Sequence, residues 1–99
     1  MIRRFVIATD ALTAAQEKQL SEALGKTGWW HWLPNFWLVR DSSGSLTVGA
    51  ITSIIKNIDK TKRAMVLEVN PVTWSALSRK NAAGRDMTAW IKETWNEPK

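Results

Sequence analysis

The chain of 99 residues contains no cysteine, which excludes disulfide bonds, thiolate catalysis and cysteine-based metal sites. A reducing compartment is the simpler interpretation, so we expect a cytoplasmic protein. Long hydrophobic runs are also missing, since the apolar stretch after Arg3 and Arg4 ends at Thr9 and Asp10. That stretch is too short for a secretory signal or a membrane span, and we expect no membrane partner.

Histidine is nearly absent as well, because His31 is the single one in the chain. Without a second histidine, neither a histidine metal site nor a recognisable Ser-His-Asp set is available. His31 is better explained as a packed or hydrogen-bonded sheet residue than as a general base. The polar stretch Ser42-Ser43-Gly44-Ser45 lacks a Walker lysine and a GxGxxG frame, so we interpret it as a connector.

Tryptophan, in contrast, is abundant, with seven residues in the chain. Trp29, Trp30, Trp32 and Trp37 lie within one short segment that also contains His31. Such a density indicates a sheet that is apolar on both faces and must be covered. We therefore predict that these four tryptophans lie in the core or a dimer interface, in preference to a platform that stacks on single-stranded bases.

Periodicity predicts a βαββαβ order in one domain, with residues 1–70 as its core and 71–99 as an extension. Thr13 and Gln16 form a capping-box pattern, and Thr47 is a plausible cap of the second helix. Pro34-Asn35 is typical of a hairpin turn. The predicted strands are 3–9, 29–33, 36–40 and 63–69, and the predicted helices follow Thr13 and Thr47.

This order predicts an α+β fold, a ferredoxin-like sandwich whose four antiparallel strands carry both helices on one face. Strand alternation puts Trp30 and Trp32 on one face and Trp29, His31 and Leu33 on the other. A C-terminal helix starting near Asp86, with Met87, Trp90, Ile91 and Trp95 on one stripe, is expected to dock on the open face. Trp74 and Leu77 precede it in the same extension.

The charge is unbalanced, with 14 Lys and Arg against 9 Asp and Glu and a net charge of +5. A basic protein associates readily with polyanions such as nucleic acid. A solvated basic surface without a partner is the alternative interpretation. The candidate phosphate-contacting residues form two loose groups, Lys56, Lys60, Lys62 and Arg63, and Arg79, Lys80 and Arg85.

The hairpin sequence Gly28-Trp29-Trp30-His31-Trp32-Leu33, followed by Phe36-Trp37-Leu38-Val39, resembles the "WWHYL…TWLV" hairpin of small bacterial proteins described as SinR-like. The similarity runs from Phe5-Val6-Ile7-Ala8-Thr9-Asp10 to Trp90-Ile91-Lys92, although Thr9 stands where that family usually has tyrosine. These proteins resemble distantly the small CRISPR-associated adaptation endonucleases. In those relatives an aspartate at the end of the first strand serves metal-dependent phosphodiester cleavage, a role that the resemblance would assign to Asp10.

Asp10 therefore has two interpretations. A carboxylate can hold Mg²⁺ with water and phosphate oxygens, and a dimer would supply two such groups. Alternatively, Asp10 precedes a helix and caps its free N–H groups. Glu68, the other carboxylate in a predicted strand, is a weak second ligand. We expect a non-enzymatic accessory module that contacts nucleic acid or a protein partner, without a cofactor; the alternative is a Mg²⁺-dependent nuclease that uses Asp10.

We predict a homodimer, because the aromatic sheet surface of one chain exceeds what two helices and one tail can cover. Light scattering over a range of concentrations should give a mass of about twice the 11.2 kDa chain. A monomer at every concentration up to the millimolar range would contradict this expectation.

Overall fold

The computed structural model describes residues 2–25, 27–70, 75 and 91–95. Its elements follow the predicted βαββαβ order: β1 (Arg3–Thr9), α1 (Ala14–Ala23), β2 (Gly28–Leu33), β3 (Phe36–Asp41), α2 (Val48–Ile58) and β4 (Ala64–Val69). Each observed strand lies within one residue of its predicted bounds.

The four strands form one antiparallel sheet in the order β2-β3-β1-β4. The hairpin partners β2 and β3 are adjacent, whereas the two helical connections carry the chain across to strands that are not their direct neighbours. The described residues therefore form a small α+β fold with an open sheet and two helices, an arrangement compatible with the ferredoxin-like sandwich.

Short polar side chains set the helix starts and the hairpin turn, as predicted. The Thr13 hydroxyl accepts a hydrogen bond from the Gln16 amide, and the Gln16 side chain accepts one from the Thr13 amide. The Thr47 hydroxyl accepts from the Ala50 amide in the same way. Asn35 adopts φ of 62°, the left-handed conformation that asparagine tolerates best among residues with a Cβ.

One face of the sheet carries both helices. The buried residues of this cluster come from β1, β3 and both helices, and they are Phe5, Ile7, Leu20, Leu24, Trp37, Val39, Ile51 and Ile55. Their i, i+4 spacing on each helix and alternate spacing on each strand are what a helix-on-sheet layer requires.

The opposite face is partly covered by residues 91–95. Trp30 and Leu38 of the sheet bury themselves against Ile91 and Trp95, and the Trp95 indole N–H donates to the Val39 carbonyl oxygen at 3.2 Å. Ile91 and Trp95 therefore pack on this face as predicted, but the predicted C-terminal helix is not confirmed. This segment forms a π-helical turn, while the rest of the predicted C-terminal helix, with Met87 and Trp90, lies outside the described residues, as do Trp74 and Leu77.

A bulge in β2 changes the predicted alternation of the hairpin. Trp30 pairs with Leu38 and Leu33 pairs with Phe36, so two residues of β2 face Trp37 alone on β3. The extra residue returns Leu33 to the face of its partner Phe36, whereas unbroken alternation placed Leu33 with Trp29 and His31. The prediction for Leu33 is wrong, because a bulge leaves no mark in the hydrophobic pattern.

The tryptophans of the hairpin differ in burial. Trp30 and Trp37 are buried on opposite faces, and the Trp29 side chain, 5.4 Å from the Trp37 ring, is 40% exposed. The side chain of Trp32 lies outside the described part of the structure.

Among the described residues, no helix has the length and apolarity needed to cross a membrane.

Asp41 organises the connection from β3 to α2. One carboxylate oxygen accepts from the Ser43 amide at 3.1 Å and the Ser43 hydroxyl at 2.6 Å, and the other accepts from the Leu46 amide at 2.7 Å. Burial raises the pKa of this carboxyl, but these hydrogen bonds outweigh it and hold the pKa below its usual value. The connector predicted from Ser42–Ser45 is thus an ordered loop.

We expect Trp37→Ala to lower the free energy of unfolding by about 3 to 5 kcal/mol, because it empties the centre of the helix-facing core. Urea denaturation monitored by far-UV circular dichroism measures the change. Val48→Ala, on a side chain of α2 that is 40% exposed, is the control and should cost less than about 0.5 kcal/mol. Equal losses in the two variants would contradict the packing described here.

Candidate functional site

A pocket of about 310 Å³ lies between α2 and the start of β4. Three lysines that the sequence singles out, Lys56, Lys60 and Lys62, line it together. The remaining lining residues are Thr52, Ser53, Ile55 and Ala64. Ammonium groups are hydrogen-bond donors only, and hydroxyl groups can also donate, so the polar part of this lining suits an anion.

Asp59 holds the loop that carries two of these lysines. One oxygen of its carboxylate accepts from the amide and the hydroxyl of Thr61, at 2.9 and 2.6 Å. The other accepts from the Gln16 side-chain amide at 2.9 Å, which ties the loop to the first turn of α1. These bonds, foremost those from Thr61, lower the pKa of Asp59. The aspartate therefore remains ionised and fixes the backbone on both sides of Lys60.

Arg63, the fourth basic residue of this group, is engaged with Asp10. Its Nε and one terminal nitrogen each donate to a different oxygen of the Asp10 carboxylate at 3.0 Å. The Arg63 amide also donates to Asp10 at 2.8 Å, and the Asp10 amide donates to the Arg63 carbonyl oxygen at 2.9 Å. The bonds from Arg63 lower the pKa of Asp10. This two-point contact closes the end of the β1–β4 pair.

The helix-cap interpretation of Asp10 is not what the structure shows, because Thr13 caps α1 and Asp10 binds Arg63 instead. As a metal ligand, Asp10 would have to give up a guanidinium that occupies both of its oxygens. The residues that the structure describes also contain no cluster of three or more histidine, aspartate or glutamate side chains suited to a metal ion. In the folded chain, both oxygens of Asp10 thus accept hydrogen bonds from Arg63.

Glu68, the weak second ligand, lies far from Asp10. Glu68 pairs with Phe5, and Asp10 follows Thr9 at the end of the same strand β1. Five residues of extended chain span about 17 Å, so one chain cannot bring both carboxylates to one ion. Glu68 lies 3.9 Å from the Arg3 guanidinium instead.

The second predicted basic group, Arg79, Lys80 and Arg85, lies outside the described residues. The pocket adds two residues that charge alone did not identify, Thr52 and Ser53. Thr52 and Ser53 precede Lys56 by four and three residues along a helix, which places all three on one surface of α2. That spacing is the signal in the sequence from which the hydroxyl groups of the pocket could have been found.

No protein-family model, curated protein or solved structure matches the chain in the three comparisons made. The resemblance of the tryptophan-rich hairpin to SinR-like proteins therefore stays a prediction.

We expect Asp10→Asn to lower the melting temperature at neutral pH, because the ion pair with Arg63 is lost. Since the pKa of Asp10 in the folded protein lies below its usual 3.8, this contribution is complete above that pH. The stabilisation by this ion pair disappears as the pH falls through the lowered pKa that Asp10 has in the folded protein. Thermal melts from pH 2 to 7 should show the wild type and the variant converging in acid.

Glu22→Gln removes one negative charge from an exposed position on α1 and serves as the control. Its melting temperature should follow the wild type over the whole range. A constant gap between the wild type and Asp10→Asn down to pH 2 would contradict the assignment.

Proposed function

We propose that the protein is a non-enzymatic binding module that contacts the phosphate backbone of nucleic acid through the pocket of Lys56, Lys60 and Lys62. The observation that carries this proposal is the convergence of these lysines, from a helix and from a loop, on one pocket. Lysines scattered on a solvated surface need no common cavity. The net charge of +5 adds long-range attraction to any polyanion.

The chemistry of the pocket favours phosphate groups over bases. Lysine ammonium groups neutralise phosphates without reading sequence. Base stacking requires exposed aromatic faces, and among the described tryptophan side chains Trp30, Trp37 and Trp95 are buried. Trp29 is 40% exposed and is a single aromatic face rather than a platform of several. Binding should therefore be independent of sequence, with an affinity in the micromolar range or weaker near physiological salt.

The hydrogen bonds of Asp10 favour a binding module over the nuclease alternative. A catalytic metal needs carboxylate oxygens that are free to coordinate, and those of Asp10 accept hydrogen bonds from Arg63. We therefore propose binding without cleavage.

We further propose a ferredoxin-like, SinR-like protein that acts as a homodimer. The strand order supports the fold assignment. Support for the dimer comes from β4, an edge strand of the sheet on which Met65 and Leu67 are 64% and 50% exposed. An edge strand with exposed apolar side chains is a common site of pairing between copies.

The binding proposal predicts that Lys56→Gln with Lys60→Gln weakens binding to a fluorescent 20-nucleotide single strand by about tenfold at low salt. Each lost phosphate contact should also reduce the slope of log affinity against log salt by about 0.7, the value for a single strand. Fluorescence anisotropy from 50 to 200 mM salt measures both quantities. Arg63 is left unchanged in this variant, because its replacement would also break the contact with Asp10.

Lys18→Gln with Lys92→Gln is the matched control, since it removes the same charge from exposed positions outside the pocket. An equal loss in both double variants would mean that net charge alone drives binding. Wild-type protein that does not bind nucleic acid would leave a protein partner as the better proposal. Mg²⁺-dependent cleavage that Asp10→Ala abolishes would replace binding with nuclease activity.

A further inference from the structure

The only histidine of the chain stands between two acceptors. His31 Nδ1 lies 2.9 Å from the Phe36 carbonyl oxygen, and Nε2 lies 2.7 Å from a carboxylate oxygen of Glu17 on α1. A carbonyl oxygen has no proton to give, and neither has an ionised carboxylate. A neutral imidazole carries one ring proton and can satisfy one of these contacts; an imidazolium satisfies both.

The His31 ring also lies against an aromatic face. The His31 ring stacks on the Trp37 indole, with 3.9 Å between centroids and 7° between planes. A cation against the face of tryptophan is attracted by the negative charge of its π system. From α1, the carboxylate of Glu17 faces the ring, and β3 contributes the uncharged indole of Trp37 and the carbonyl of Phe36.

The position of His31 in the fold gives its protonation a structural consequence. His31 lies at the bulge of β2, where the regular pairing of β2 with β3 is interrupted, and β2 is an edge strand. Through its two ring nitrogens the side chain bonds to the backbone of β3 and to α1. The side chain of His31 is 14% exposed and that of Glu17 is 38% exposed, so the ring is largely shielded from water while the carboxylate is partly open to it.

We propose that the folded protein holds His31 as an imidazolium and that this residue is a pH-sensitive latch between α1 and the hairpin of β2 and β3. Below about pH 6.5 an unfolded histidine is also protonated, so the full stabilisation is present. As the pH rises, loss of one ring proton breaks either the bond to Phe36 or the bond to Glu17. The hairpin is then held less firmly against α1.

Nitrogen-15 NMR of the wild-type protein tests the protonation state without any substitution. Because the chain has one histidine, its ring signals need no assignment. We expect both ring nitrogens to be protonated at pH 7. A single protonated nitrogen at that pH would overturn the proposal.

Glu17→Gln tests the consequence for stability. The new amide can donate to Nε2 and so accommodates a neutral ring that keeps its proton on Nδ1. Urea denaturation should show that the unfolding constant of the wild type rises about tenfold between pH 6 and pH 8, whereas that of the variant changes less. The terminal amino group titrates alike in both proteins and cancels in the comparison.

Glu22→Gln, on the same helix and with the same change in charge, is the matched control and should keep the wild-type pH dependence. The same dependence in the wild type and in Glu17→Gln would contradict the latch. Should Glu17→Gln fail to fold, the NMR experiment on the wild type still decides the proposal.

Discussion

The structure depends on the burial of β3 from both sides. Trp37 and Val39 point into the core that the helices cover, while Leu38 is buried against Ile91 and Trp95 on the other face. A strand buried on both faces removes much more apolar area from water than a half-exposed one, and the stabilisation grows with that area. It also obliges the chain to supply a second cover beyond α1 and α2, which residues 91–95 provide in part.

The polar contacts complement this core by fixing the connections between its elements. Three aspartates act in the same way at three places: Asp10 binds Arg63 where β1 ends, Asp41 holds the loop to α2, and Asp59 holds the loop to β4. In each case an ionised carboxylate accepts several hydrogen bonds, which are stronger than bonds between neutral groups. The hydrogen bonds formed by Asp59 and Asp10 fix the two ends of the loop that carries Lys60 and Lys62.

The candidate site was predictable in its charge but not in its shape. The group of Lys56, Lys60 and Lys62 is visible in the sequence because these residues are close together along the chain. The contact that engages Arg63 with Asp10 is not visible in the sequence. Asp10 lies 53 residues away from Arg63 and meets it only when β1 and β4 pair. For the same reason a contact between His31 and Glu17 had no local signal, because it joins a strand to a helix.

Local chemistry within the sequence determined the order of elements, the caps at Thr13 and Thr47, the turn at Asn35 and the need to cover both faces of the sheet. Each of these follows from interactions between residues a few positions apart or from the periodicity of apolar side chains. Only the tertiary structure decided the bulge in β2, the face of Leu33, the partners of Asp10 and His31, and the pocket beside α2. These features depend on strand register and on which surfaces meet in space, and neither is encoded in a short stretch of chain.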